Sequence, residues 1–369
     1  MITVKEVMQS MERLAPPYFA ESWDNVGLMI GSKKNFVSKV ITTLDVTPAV
    51  VDFAIREGAE MIISHHPFIF KGLTSIDLDS VQGQMIETLV KHGIAIYSAH
   101  TNLDIAEGGL NDMLAEKLGL IDIQGFVPVG TDAVYKVITY VPQNATDGVR
   151  FAMAEAGAGR IGNYEACSFS SFGEGRFKGN VASNPVIGER GTLTVAQEVA
   201  VQVIVETNDL SAVIKAMKEA HPYEEVAYEV VELVKPNRER TLGRIGNLPQ
   251  PMSFAAFKHH VEMVLPHSHV RFGGVKKDSI KTIALCSGSG ASFIKQARGF
   301  DAYITGDVKY HDAQLAKELG LLLVDAGHFG TEEIVASGVA EYLRCESSSN
   351  NWELTVIPFV DQEDFFFYS

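Results

Sequence analysis

Short aliphatic runs separated by stretches of helical period occupy both ends of this chain. Residues 40–44 (Val-Ile-Thr-Thr-Leu) read as a strand, Pro48 starts a helix that runs through Ile55 and that Gly58 closes, and Met61-Ile62-Ile63 begins the next strand. A second helix is expected over 81–92 with Gly93 ending it, and residues 94–98 form a further strand. Ahead of these, Val4, Val7, Met8, Met11 and Leu14 mark one helical face. The same rhythm returns late in the chain: strands over 281–286, 302–305 and 321–325, and helices from Gly290 to Arg298, over 311–319 and over 331–343. Strands alternating with helices of this length predict right-handed βαβ units in largely parallel sheets. The expected class is therefore α/β, two βαβ-rich halves forming one core.

Between the halves the texture changes. Strands are expected over 134–141, 164–172, 199–205 and 226–234, with helices over 149–156 and 210–220, and glycines punctuate 173–179. This β-α-β-β-α-β order is the signature of a ferredoxin-like α+β domain. A charged linker, residues 235–240, leads back to the α/β pattern. The reading is a core of residues 1–124 and 241–369 with an inserted domain of residues 125–240, in keeping with a length of 369 residues.

Charge narrows the partners. With 46 acidic against 31 basic residues the formal net charge is −15, which argues against holding a nucleic-acid backbone and favours small or metal-bridged ligands. No apolar stretch reaches the length of a membrane helix, and the first residues lack a secretory signal's pattern, so a cytoplasmic protein with no membrane partner is expected. Cys167, Cys286 and Cys345 form no CxxC pair and read as structural, which leaves any metal to nitrogen and oxygen ligands.

Such ligands gather at strand ends, where open α/β sheets place their crevices. His65 and His66 follow one apolar strand directly and Pro67 stops it; His100 and His328 follow two others. Asp104 and Glu332 each come four residues after a histidine. Imidazole and carboxylate together suit zinc, manganese, iron or cobalt. His65, His66, Asp104, His328 and Glu332 are right in number and kind for two divalent ions, although hydrogen-bonded loop histidines are the plainer alternative. Asp307 and His311, from another strand end, are further acid–base or orienting candidates, with a surface role for His311 as the alternative. Ser287-Gly288-Ser289-Gly290 reads as a tight turn, with a phosphate cradle formed by its amides as the alternative, and His221 as a cationic helix C-terminal cap rather than a metal ligand.

Four segments carry a resemblance: Ser22-Trp23-Asp24-Asn25-Val26-Gly27-Leu28, Ser64-His65-His66-Pro67, Ala99-His100-Thr101-Asn102-Leu103-Asp104 and Gly327-His328-Phe329-Gly330-Thr331-Glu332. Together they resemble the Nif-three-like dinuclear-metal-centre family, whose members are often labelled GTP cyclohydrolase I type 2 homologues. The resemblance implies that the five ligands hold two metal ions, zinc, iron or manganese, with Glu332 bridging. It places His100 beside the metals as an orienting group, and the Trp23 loop near them. It also implies a homo-oligomer, a hexameric toroid. His221-Pro222-Tyr223-Glu224-Glu225 is similar to a motif of CutA and PII-like proteins, which implies that the insert is of that kind. The implied activity is hydrolysis of a purine nucleotide such as GTP, with His100, Asp307 or His311 carrying protons. A nucleotide phosphoesterase would use the same ligands, and a metal-dependent regulatory or interaction protein is the reading from a different class.

Overall fold

Thr47 and Pro48 start the first crossover helix as the sequence suggests. The helix spans Pro48–Glu57, the Thr47 hydroxyl accepts from the Val50 amide, and Gly58 ends it at φ +66°, where a side chain would be strained. The second crossover, Val81–His92, repeats the device with Ser80 at its start and Gly93 at φ +68°. The structure is a computed structural model that describes residues 2–162, 164–266 and 268–367, and for 235–238 the backbone alone. It divides into two compact units, Met1–Val129 with Arg240–Ser369, and Gly130–Glu239.

The first unit holds two sheets of the same design. In one, Thr355–Pro358, Lys39–Thr43, Met61–Ser64 and Ala95–Ser98 run parallel in that order, and Gly27–Ile30 closes the edge antiparallel. In the other, Leu322–Asp325, Ala302–Thr305 and Ile280–Leu285 run parallel, flanked by antiparallel Arg271–Gly274 and by residues 244–252 of the Tyr228–Met252 strand. Both faces of the first sheet are covered. Val40, Met61, Ile63, Ala95 and Tyr97 pack with Val335, Val339 and Leu343, whereas Ile41, Ile62 and Ile96 pack with Val50, Ala54 and Leu89. That is why these strands read as unbroken apolar runs rather than alternating ones. Buried Arg244 ties the segment after Asp104 to the second sheet, donating to both oxygens of Asp112 and to the Ala106 carbonyl.

The second unit follows the order strand, helix, strand, strand, helix, strand. Its core lies between helices Thr146–Glu155 and Leu210–Ala220 and the Val199–Val205 face of strand Leu193–Glu206. Strands Ile121–Pro142 and Ser168–Lys178 pair antiparallel with Leu193–Glu206 from either side.

Several elements differ from the sequence reading. The strand expected over 164–172 runs Ser168–Lys178, and Gly173 and Gly175 lie inside it rather than in a turn. A Cβ on Gly175 would sit 2.1 Å from Glu198 Oε2, so the glycine there serves a close approach. The charged linker is part of the continuous strand Tyr228–Met252. The helix expected from Gly290 to Arg298 is a single 3-10 turn, Ala291–Phe293, because the Tyr303 and Thr305 hydroxyls hold the Gly290 carbonyl and amide and tie the segment's start to the neighbouring strand. The helix expected over 331–343 is two, His328–Glu332 and Val335–Ser349. Thr331 bonds back to the carbonyls of Gly327 and His328, a contact that bends helices. Helices Leu110–Lys117 and Phe254–Val264 and the edge strands lie outside the elements expected from the sequence. Among the described residues no helix is long and apolar enough to cross a membrane.

Candidate metal centre

Parallel register builds the centre. Thr43 pairs with Ser64 and Ser64 with Ser98, so the residues two positions further on, Asp45, His66 and His100, leave their strands side by side. Thr305 pairs with Asp325 in the second sheet, which likewise sets Asp307 beside Gly327 and His328. Ligand-bearing loops therefore stand at carboxyl ends of strands in both sheets of the first unit.

Four imidazoles converge, and each commits Nδ1 to an oxygen. His65 Nδ1 lies 2.9 Å from the Ala99 carbonyl, His66 Nδ1 2.8 Å from Asp45 Oδ1, His100 Nδ1 2.9 Å from Asp24 Oδ1, and His328 Nδ1 2.8 Å from Asp307 Oδ2. A carbonyl or carboxylate only accepts, so each Nδ1 carries the proton and Nε2 is left for the interior. His66 Nε2 and His328 Nε2 lie 3.0 and 3.1 Å from Glu332 Oε2. His65 Nε2 lies 3.7 Å from Asp104 Oδ1 and 3.9 Å from Glu332 Oε2, buried and with no hydrogen-bond partner.

Among the described residues three groups have donor atoms within 4.8 Å of one another: His65, His66 and His100; His66, His328 and Glu332; His65, Asp104 and Glu332. A buried, unpartnered imidazole nitrogen facing two carboxylates is costly without a ligand. Metal-binding histidines characteristically tie their second nitrogen to a carboxylate or carbonyl, as all four do. The donor set therefore fits divalent metal ions.

The charges point the same way. Burial disfavours ionisation of both carboxylates, and it lifts Asp104 to about 7, aided by the nearby charge of Glu332. Against the same burial, hydrogen bonds from His328 and His66 hold Glu332 well below the usual carboxylate range. Burial pushes His65 down to about 3, so that it is a neutral donor at any ordinary pH. His66 also meets a burial penalty, but Asp45 and Glu332 outweigh it and raise the ring to about 10; Glu332 and Asp307 likewise raise His328 to about 9. In this arrangement two imidazolium protons occupy the space that metal cations would take. Burial drives the Cys286 thiol up, and Cys286 belongs to none of the three groups.

The glycines of the Ser287–Gly290 loop are sterically required. Gly288 has φ +56°, and a Cβ there would fall 2.1 Å from Glu332 Oε1. Three of the loop amides are taken: Ser287 donates to Asn111, Gly288 to Thr331 and Gly290 to Thr305. The loop is thus a turn that packs against the cluster, and three of the amides that a phosphate cradle would use are committed elsewhere.

The sequence matches the Duf34/NIF3 (NGG1p interacting factor 3) family over residues 2–364. The chain belongs to the DUF34/NIF3 family. It is similar to proteins named GTP cyclohydrolase 1 type 2 homolog from Halalkalibacterium halodurans, 40% identical over 95% of each chain, and Bacillus subtilis, 40% identical over 98% of this chain and 96% of that one. The crystal structure of a Bacillus cereus protein related to NIF3 superposes with a TM-score of 0.90 at 39% identity, covering 100% of this chain and 99% of that one.

In this NIF3-family chain the structure brings His65, His66, Asp104, His328 and Glu332 together, and it adds His100 to one of the three donor groups. His100 thus offers a further nitrogen beside the candidate ligands. Asp307, an acid–base candidate by its place in the sequence, is occupied in holding His328 Nδ1. His311 is exposed on helix Tyr310–Glu318, 3.3 Å from Gln314 Oε1, and belongs to none of the three groups. His221 ends helix Leu210–Ala220, but it is no cation. Its Nε2 faces the Tyr140 carbonyl, its Nδ1 accepts from the Tyr223 amide, and burial lowers its pKa. Sequence reasoning missed Asp45 and the carboxylate of Asp24, which also accepts from the Thr101 amide. Asp45 follows an apolar strand by the same short step as the histidines, and that spacing is a signal the sequence does carry.

Proposed function

We propose that this chain is a metal-dependent hydrolase whose divalent ions are held by His65, His66, Asp104, His328 and Glu332. The observation that carries the reading is the buried, unpartnered Nε2 of His65 set between Asp104 and Glu332. Divalent ions in such a set supply Lewis acidity and make water acidic enough to be a nucleophile near neutral pH. The chain's own groups do the rest. Asp45, Asp24 and Asp307 fix the Nδ1 protons and thereby the aim of each Nε2, and Gly288 lets the Glu332 carboxylate sit against the loop. His100, held by Asp24 at one nitrogen, offers the other as a proton acceptor. The name carried by the relatives makes GTP the first substrate to try, with formate as the product to look for.

A second reading, regulation by a small molecule, is supported by a cavity of about 680 Å³ in the second unit, lined by Phe172, Phe177, Tyr223 and Glu198. One experiment separates the two. Protein purified without a histidine tag is analysed for metal and then incubated with GTP, alongside a His66→Ala, Glu332→Gln double variant. Metal and formate in the wild type and neither in the variant support the hydrolase. Metal without turnover of GTP or a nucleotide panel refutes it and leaves the regulatory reading.

A further inference from the structure

A cavity of about 690 Å³ opens onto the cluster at His66 and His328, a volume within the range of small-molecule sites. One wall comes from the end of the chain. Gln362 Oε1 accepts from the Thr43 hydroxyl and from the amides of Leu44 and Asp45, both at 3.0 Å, which pins this segment to the loop that positions His66. Two residues on, Asp364 Oδ1 accepts from the Phe366 amide at 3.0 Å, a local turn that fixes the backbone of the two phenylalanines. Phe365 and Phe366 then line the cavity while 76% and 72% exposed. Large rings held at a cleft and left uncovered by their own protein are available to a ligand.

The same cavity contains a cation. Arg271 lines it with 71% of its side chain exposed, and its guanidinium is held in place by Asp325 and by the Val308 carbonyl, 3.0 Å from Nη2. A guanidinium oriented in advance loses little freedom on meeting a phosphate. The wall also carries four acids, Asp45, Asp307, Asp325 and Asp364, which are engaged with His66, His328, Arg271 and the Phe366 amide.

We infer that Phe365 and Phe366 bind a planar aromatic ring of the substrate and Arg271 its anionic group. The substrate class is then an aromatic phosphate such as a nucleotide, lying with the ring against the chain's C-terminal segment. This rests on the hydrolase reading only in taking the cavity as the substrate cleft. Stacking on aromatic side chains is worth roughly five- to a hundredfold in affinity per base.

The test is calorimetric titration of the zinc-loaded full-length chain with GTP, guanosine and inorganic triphosphate. GTP should bind at least about tenfold more tightly than either fragment. Phe365→Ala with Phe366→Ala should reduce GTP to the affinity of triphosphate, and Phe365→Leu with Phe366→Leu, which keeps the bulk and removes the rings, should do the same. Arg271→Gln should reduce GTP toward guanosine, whereas Arg271→Lys retains part of the preference. Equal affinities for the three probes, no GTP binding, or leucine variants that bind GTP like wild type overturn the inference. So do leucine variants that change only the mass of the assembled protein, since the rings would then cover another chain. A chain that shows the expected pattern but releases no product from GTP or other nucleotides overturns the hydrolase and leaves the ring and anion sites standing.

Discussion

Replacing Gly288 by alanine tests the metal centre without removing a single ligand. The new methyl carbon would lie 2.1 Å from Glu332 Oε1, 3.1 Å from Glu332 Cδ and 3.4 Å from His328 Nε2. Nonbonded heavy atoms ordinarily keep roughly 3.5 Å apart, so the carboxylate has to yield. Glu332 is buried at 4% exposure and is gripped by His66 and His328, so it cannot swing aside without giving up both contacts. Alanine at φ +56° adds about 1 kcal/mol of backbone strain, and crowding in a packed site costs about 1–3 kcal/mol more. Urea unfolding of the metal-free variant should therefore show a loss of about 2–4 kcal/mol. Metal retention after dialysis should fall further than stability does, because coordination tolerates displacements of only about 0.2 Å. A folded Gly288→Ala protein that keeps wild-type metal content and affinity would refute the assignment of Glu332 as a ligand.

The hydrogen bonds around the cluster set two more outcomes. Asp45→Asn and Asp307→Asn each replace the acceptor of an imidazole Nδ1 proton, and each should weaken metal binding about 10–100-fold in competition with a chelator while the fold persists. In the metal-free protein, His66 and His328 are raised from 6.5 to about 10 and about 9, so the stability they contribute is complete below pH 6.5 and is lost as pH climbs through 9 and 10. His65, lowered to about 3, acts in the opposite window, with a contribution present above pH 6.5 and lost as pH falls toward 3. Asp104, raised from 3.8 to about 7, opposes His65 over nearly the same range, so thermal melts of stripped protein should show chiefly the alkaline fall, and zinc should flatten it by replacing the two protons. A stripped protein as stable at pH 10 as at pH 6.5 would contradict it.

Much of this protein is determined by local sequence. Apolar runs without alternation specify strands covered on both faces, Thr47-Pro48 and Ser80 start helices, and Gly58 and Gly93 stop them, because each is a matter of a few neighbouring residues. The candidate ligands were legible for the same reason: His65, His66 and His328 closely follow strand ends, and Asp104 and Glu332 lie one helical turn beyond His100 and His328. What only the tertiary structure decided is everything set by register between strands distant in the chain. Asp45 meets His66 because Thr43 pairs with Ser64, and Asp307 meets His328 because Thr305 pairs with Asp325. His100 stands beside the candidate ligands, and His311 does not, through the same geometry. The Phe365 and Phe366 wall depends on Gln362 finding the amides of Leu44 and Asp45, at sequence separations of 318 and 317. No local pattern encodes such a meeting, since it exists only once parallel strands have been brought level and their loops laid side by side.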